Sequence, residues 1–147
     1  MTIVVDVANV MGSRPDGWWR DRAGAAVRLH DQIVRLAASG RAILPADAGS
    51  TSDDAERPGF VLVLEGAANA AVARMPPQES GAPGPPRPGE VRVVQARGSG
   101  DDAIVAVVRE LPGRRVVVTA DRELRARCVA AGAEILGPGW LLSLLRD

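Results

Sequence analysis

The chain has 147 residues, of which 18 are basic and 18 acidic, so its net charge is zero. That length suits one ordinary domain with a real core, and 46% hydrophobic with 24% charged residues reads as a globular composition. The balance excludes a global basic field that would gather nucleic acid, and a lone Cys128 with a lone His30 excludes a disulfide framework and a zinc site. Every basic residue is arginine, which with abundant Ala, Gly and Pro reflects a GC-rich genome rather than function, although arginine is also the better bidentate phosphate ligand. No apolar run reaches membrane-spanning length, and Met1 and Thr2 lead straight into a strand, so a cytoplasmic protein without a signal peptide is the expectation.

In chain order, Ile3-Val4-Val5-Asp6 is three β-branched residues running into a carboxylate. This is the pattern of a strand buried on both faces of a parallel sheet. A turn over Val7–Gly12 carries Asn9 at the same rim, and a Gly- and Pro-containing loop continues through residue 22. Asp21 is the expected N-cap of a helix ending near Gly40. Ala26, Leu29, Ile33 and Leu36 share its inner face, and Arg28, His30, Asp31 and Arg35 its outer one. Residues 41–58 read as a polar loop, with 41–44 a short strand or the helix exit. A second buried strand, 60–64, ends in Glu65-Gly66, and 67–75 reads as a short helix.

Residues 76–89 hold six prolines and three glycines and read as an exposed, polyproline-like excursion within one domain spanning 1–147. A third strand, 91–94, leads through Gly98-Ser99-Gly100 to Asp101-Asp102 and a helix over 103–111. A fourth, 116–119, ends at Ala120-Asp121 and opens a helix over 122–131, stopped by Gly132, in which Cys128 is a buried hydrophobe. A fifth strand, 133–136, and a closing helix, 140–145, complete the chain. The alternation of strand and helix gives an α/β fold with a mainly parallel sheet.

Asp6, Glu65 and Asp121 each follow an apolar strand, and Asp101 and Asp102 follow one after a short loop. A parallel sheet brings all those strand ends to one edge, where open α/β sheets bind ligands. Clustered carboxylates repel one another unless a proton or cation intervenes. Hard oxygen ligands without His or Cys suit Mg²⁺ or Mn²⁺, ions that serve phosphodiester hydrolysis. Gly98-Ser99-Gly100-Asp101-Asp102-Ala103 also fits G-x-G-x-x-A, with Asp121 about twenty residues on, the spacing of a dinucleotide fingerprint. Its acids would stand where a pyrophosphate needs bare N–H groups.

Three stretches, Val4-Val5-Asp6-Val7-Ala8-Asn9-Val10, Gly98-Ser99-Gly100-Asp101-Asp102-Ala103-Ile104 and Val118-Thr119-Ala120-Asp121-Arg122-Glu123-Leu124, resemble the motifs of the NYN/PIN-like nuclease superfamily, in particular its small bacterial stand-alone NYN proteins. The resemblance spans nearly the whole chain. It implies a Rossmann-like (PIN-like) three-layer α/β/α sandwich and Mg²⁺- or Mn²⁺-dependent cleavage of RNA. It further implies that Asp6, Asp101 and Asp121 hold the ion, with Glu65 and Asp102 beside them and Asn9 orienting water or substrate.

Arg14, Arg20 and Arg22 lie just beyond the first strand, near Trp18 and Trp19. Arginines suit phosphates and an indole suits a stacked base; alternatively, one Trp anchors the loop to the core. Ser99 and Thr119 offer hydroxyls to a substrate phosphate, or are turn and strand hydroxyls. The expected activity is endoribonucleolytic hydrolysis of single-stranded or structured RNA, by a chain without membrane association whose oligomeric expectation is a homodimer. The alternatives are a non-catalytic RNA- or nucleotide-binding module and a dinucleotide-binding protein.

Overall fold

The computed structural model describes residues 1–14, 17–45, 57–75 and 85–146. Five strands, β1 (Thr2–Asp6), β2 (Gly59–Leu64), β3 (Val91–Gln95), β4 (Arg115–Val118) and β5 (Glu134–Leu136), form one sheet in the order β3-β2-β1-β4-β5. All four pairings are parallel, as the uninterrupted apolar runs require. Five α-helices connect or follow them: α1 (Val7–Gly12), α2 (Arg22–Ser39), α3 (Gly100–Glu110), α4 (Arg122–Ala130) and α5 (Pro138–Leu145). Among the described residues, 3-10 segments at Trp18–Arg20 and Gly66–Arg74 lie in the connections.

The two faces of the sheet take alternate residues of each strand. Ile3, Val5, Phe60, Leu62, Val116 and Val118 point into a core closed by α1, α2 and α5. Val4, Val61, Val63 and Val117 point the other way, against Ile104 and Val108 of α3 and Leu124 and Cys128 of α4. Ile3, Val4 and Val5 are fully buried, each contributing about 1.5–3 kcal/mol relative to exposure. The fold is a Rossmann-like three-layer α/β/α sandwich with an all-parallel sheet. No helix among the described residues is long and apolar enough to cross a membrane.

Most element boundaries follow their sequence signals. Helix α2 is eighteen residues long, capped by the Asp21 carboxylate at one end and left-handed Gly40 at the other. Cys128 is fully buried, and burial pushes its thiol pKa up, away from nucleophilic reactivity.

Several expectations are corrected. Val7–Gly12 is a helix, because Asp6 ends the strand and caps the next turn through Asn9 N–H. The segment after β2 winds as a 3-10 helix, with Ala68 and Ala71, three residues apart, turned inward. Helix α3 begins three residues earlier than read, with Ser99 as its N-cap. His30 is only 7% exposed, on the inner flank of α2 rather than its outer face. Of the two readings of residues 41–44 the helix exit holds: they form no strand, and Ala42 and Leu44 are buried. Pro86 is buried, and a Cβ on Gly59 would stand 2.8 Å from its Cγ, so this end of the Pro-rich stretch packs on β2. The rest of that stretch, 76–84, lies outside the described residues.

Candidate functional site

The chain runs outward from β1 in both directions, first to β2 and β3 and then, from the other side, to β4 and β5. The order therefore reverses between β1 and β4, and their carboxyl ends frame the crevice of an open α/β sheet. Val5 pairs with Val118, which sets Asp6 beside Thr119. Asp6 is 8% exposed and Thr119 fully buried.

A hydrogen-bonded brace crosses this gap. The Thr119 hydroxyl donates to Asp6 Oδ2 at 2.9 Å, and Thr119 Oγ1 accepts from Asp121 N–H at 3.2 Å. Asn9 N–H donates to Asp6 Oδ1 at 3.3 Å. The Asn9 Oδ1 accepts from Ala120 N–H at 2.8 Å, tying α1 to the turn after β4. Asp121 caps α4 through Leu124 N–H at 2.9 Å, yet its side chain stays at the exposed rim. Thr119 is thus a positioning group with no surface for a substrate, and Asn9 uses its carbonyl oxygen to hold the backbone.

The remaining acids approach from the β2 and β3 side. Glu65 Oε2 accepts from Gly100 N–H at 2.6 Å, at the start of α3. A Cβ at residue 100 would lie 2.5 Å from that oxygen, so glycine is what lets the carboxylate dock. Asp101, in the next position, is half-buried. Asp102 is exposed and pairs with Arg127 of α4 at 2.9 Å, away from the brace. Ser99 caps α3 by accepting from Asp102 N–H. With Glu65 on the first N–H and Ser99 on a later one, the helix start already holds an anion and a cap. A pyrophosphate would have to displace both.

The electrostatics separate the acids from ordinary surface carboxylates. Burial pushes the Asp6 pKa above its ordinary 3.8; the Thr119 and Asn9 hydrogen bonds oppose this, and the Asp101 and Glu65 charges add to it. Asp101 is also raised, first by burial and then by Asp121 and Glu65, with Arg127 opposing. These shifts link four chain segments to one negative field. The donor chemistry suits a hard dication. Among the described residues, however, no three His, Cys, Asp or Glu side chains converge tightly enough to hold one ion as they stand.

The arginines divide. Arg14 donates to Gln32 Oε1 at 2.6 Å and lines a hollow with Leu142, Leu145 and Arg146, facing α2 and α5. Arg20 lies over the Trp19 ring at 5.9 Å from its centroid, and Arg22 over Trp18 at 5.4 Å. Trp18 is half-buried against the core, and Trp19 is 56% exposed. Sequence reasoning missed two further arginines. Arg125 Nε donates to Thr119 O at 2.8 Å, and Arg127 reaches Asp102 and the Asp101 field. The available signal was their place in the helix opened by Asp121.

No protein-family model matches the sequence, and no curated protein matches it. The fold does have a counterpart. The crystal structure of Rae1 (YacP) from Bacillus subtilis superposes with a TM-score of 0.58 over 99% of this chain and 74% of that one, at 13% identity. The two chains share a fold. At that identity the likeness to Rae1 concerns the fold alone.

Proposed function

We propose that the chain is a metal-dependent ribonuclease of the NYN/PIN-like type, working at the carboxyl edge of β1 and β4. The observation that carries this reading is the placement of Asp6: a buried acid, fixed by two donors at a topological switch point, with the charges of Asp101 and Glu65 acting on it. Such crowding is destabilising unless positive charge arrives, and hydrolysis of a phosphodiester supplies a reason to retain it. Asp6 and Asp101 would hold Mg²⁺ or Mn²⁺, with Asp121 and Glu65 turning in from the rim. The ion would supply an activated water and charge on the phosphoryl oxygens, giving a 3′-hydroxyl and a 5′-phosphate. Within the protein, Thr119 and Asn9 fix Asp6 and the Ala120 turn, so one ligand is rigid while the half-buried and exposed acids close upon it. Arg127 limits the repulsion at Asp101, and Arg20 and Arg22 are available for backbone phosphates.

In the test, purified protein is given single-stranded RNA with Mn²⁺ or Mg²⁺. Cleavage is expected, and Asp6→Asn should reduce it by more than about 100-fold, beyond what outer-sphere changes cause, while leaving the fold intact. RNA that is bound but never cut, with either ion, would sink the enzyme and favour a binding module. Binding of a dinucleotide without metal would favour the remaining rival.

A further inference from the structure

We infer that Trp19 is the stacking platform of this site, so that the nucleic acid it takes is single-stranded, with one base splayed out onto the indole. The inference rests on the nuclease reading for the identity of the ligand, but its evidence lies in a separate part of the molecule.

The chain has only three Trp and one Phe. Phe60 is fully buried and Trp18 packs on the core, whereas Trp19 leaves 56% of its surface in water. Its placement is built. Gly17, at φ +73, turns the chain, and its carbonyl accepts from Arg20 N–H at 3.0 Å, closing the Trp18–Arg20 turn. Trp18 is the anchor, because it is half-buried and packs against the core, where a Cβ built on Gly12 would stand 3.8 Å from its ring. The two indoles meet edge to face with centroids 6.3 Å apart, which sets Trp19 against a fixed neighbour. Arg20 lies over Trp19 and Arg22 over Trp18, and among the described residues neither guanidinium pairs with a carboxylate.

Indole and unpaired guanidinium in alternation are what a single strand needs, a π-face for a base and a cation for the next phosphate. A duplex offers no free base face, so the same feature discriminates against paired RNA. The segment follows α1, the helix that starts at the acidic rim. Gly12 ends the six-residue helix that Asp6 caps, about 9 Å along the axis at 1.5 Å per residue. Trp18 lies beside that far end, within 3.8 Å of where a Gly12 Cβ would be, and Trp19 follows it.

The test separates stacking from cutting. In EDTA, a single-stranded oligonucleotide and its duplex form are titrated against the protein while tryptophan fluorescence is followed. The single strand should quench the emission and bind more tightly than the duplex. Trp19→Ala should weaken single-strand binding by roughly ten-fold or more, the scale of one stacked base, and Trp19→Phe should restore part of it. An unchanged thermal transition in Trp19→Ala would show that the change is confined to the surface. Equal affinity of wild type and Trp19→Ala, equal affinity for single strand and duplex, or no binding of either form would overturn the inference, the last pointing to a protein partner for the indole. Metal-dependent cleavage indifferent to Trp19 would leave the nuclease reading standing alone. Trp19-dependent binding without cleavage would do the reverse.

Discussion

The two edges of the sheet handle their charges in opposite ways. At the amino edge, Glu90 precedes β3 and faces Arg92, and Glu134 opens β5 and meets Arg114 with a shortest contact of 2.6 Å. Each arginine holds its partner's carboxyl below the ordinary range. At the carboxyl edge, burial first and the neighbouring acids after it push Asp6 and Asp101 up. One edge pairs its charges and the other stores an electrostatic cost, the difference on which the proposed cation site rests.

The largest expected effect breaks that asymmetry from outside. Millimolar Mn²⁺ should raise the melting temperature of the protein by neutralising the crowded edge. At a hundred times its dissociation constant an ion stabilises by about 2.7 kcal/mol, on the order of 5–10 °C for a chain of this size. Asp101→Asn should remove most of that rise and, in EDTA, leave a protein at least as stable as wild type. Equal responses of wild type and variant in a thermal melt would sink the metal site as drawn.

How much of this was legible in the sequence follows the same divide. The strands and the acidic edge come from local patterns: β-branched runs, and an acid where each run stops. The identity of the partners does not, because it depends on side-chain reach. Asp102 looks equivalent to Asp101 in the chain, but one step around α3 turns it to Arg127. Thr119 looks like a rim hydroxyl, but the β1–β4 register buries it under Asp6. Glu65 has the longer arm, and it is the length that carries it to Gly100 N–H. His30 sits one residue from Leu29 and shares its burial because the inner face of α2 is wide, packed by β1, β2 and the Gly66–Arg74 segment.

A smaller effect sharpens the comparison through pH. Asp6 and Asp101 have folded pKa values raised above the ordinary 3.8, so between 3.8 and those values the folded chain holds more protons than the unfolded one. Their contribution is therefore most favourable at low pH and is lost as pH rises through the folded values. Glu90 and Glu134 are lowered from the ordinary 4.5, so their contribution is complete above 4.5 and is lost as pH falls through the folded values. In EDTA, thermal melts of Asp101→Asn minus wild type should give a difference that grows as pH rises from 4 toward neutrality. The difference for Glu134→Gln should have the opposite sign. Parallel curves would mean that the two edges are electrostatically alike.

The smallest effect tests whether the amino-edge pairs matter at all. The side chains of Arg114 and Glu134 are 37% and 52% exposed, so water and salt screen most of their attraction. Glu134→Gln should lower stability at neutral pH by no more than about 1 kcal/mol, and less in high salt. The decisive feature is direction. Removing one negative charge at the amino edge removes an attraction to an arginine and destabilises. Removing one at the carboxyl edge, as in Asp101→Asn without metal, relieves repulsion and does not. If denaturant titrations give the same sign for both, the raised Asp101 carboxyl reflects burial alone, and the crowding of Asp6, Glu65, Asp101 and Asp121 loses its claim to be a prepared cation site.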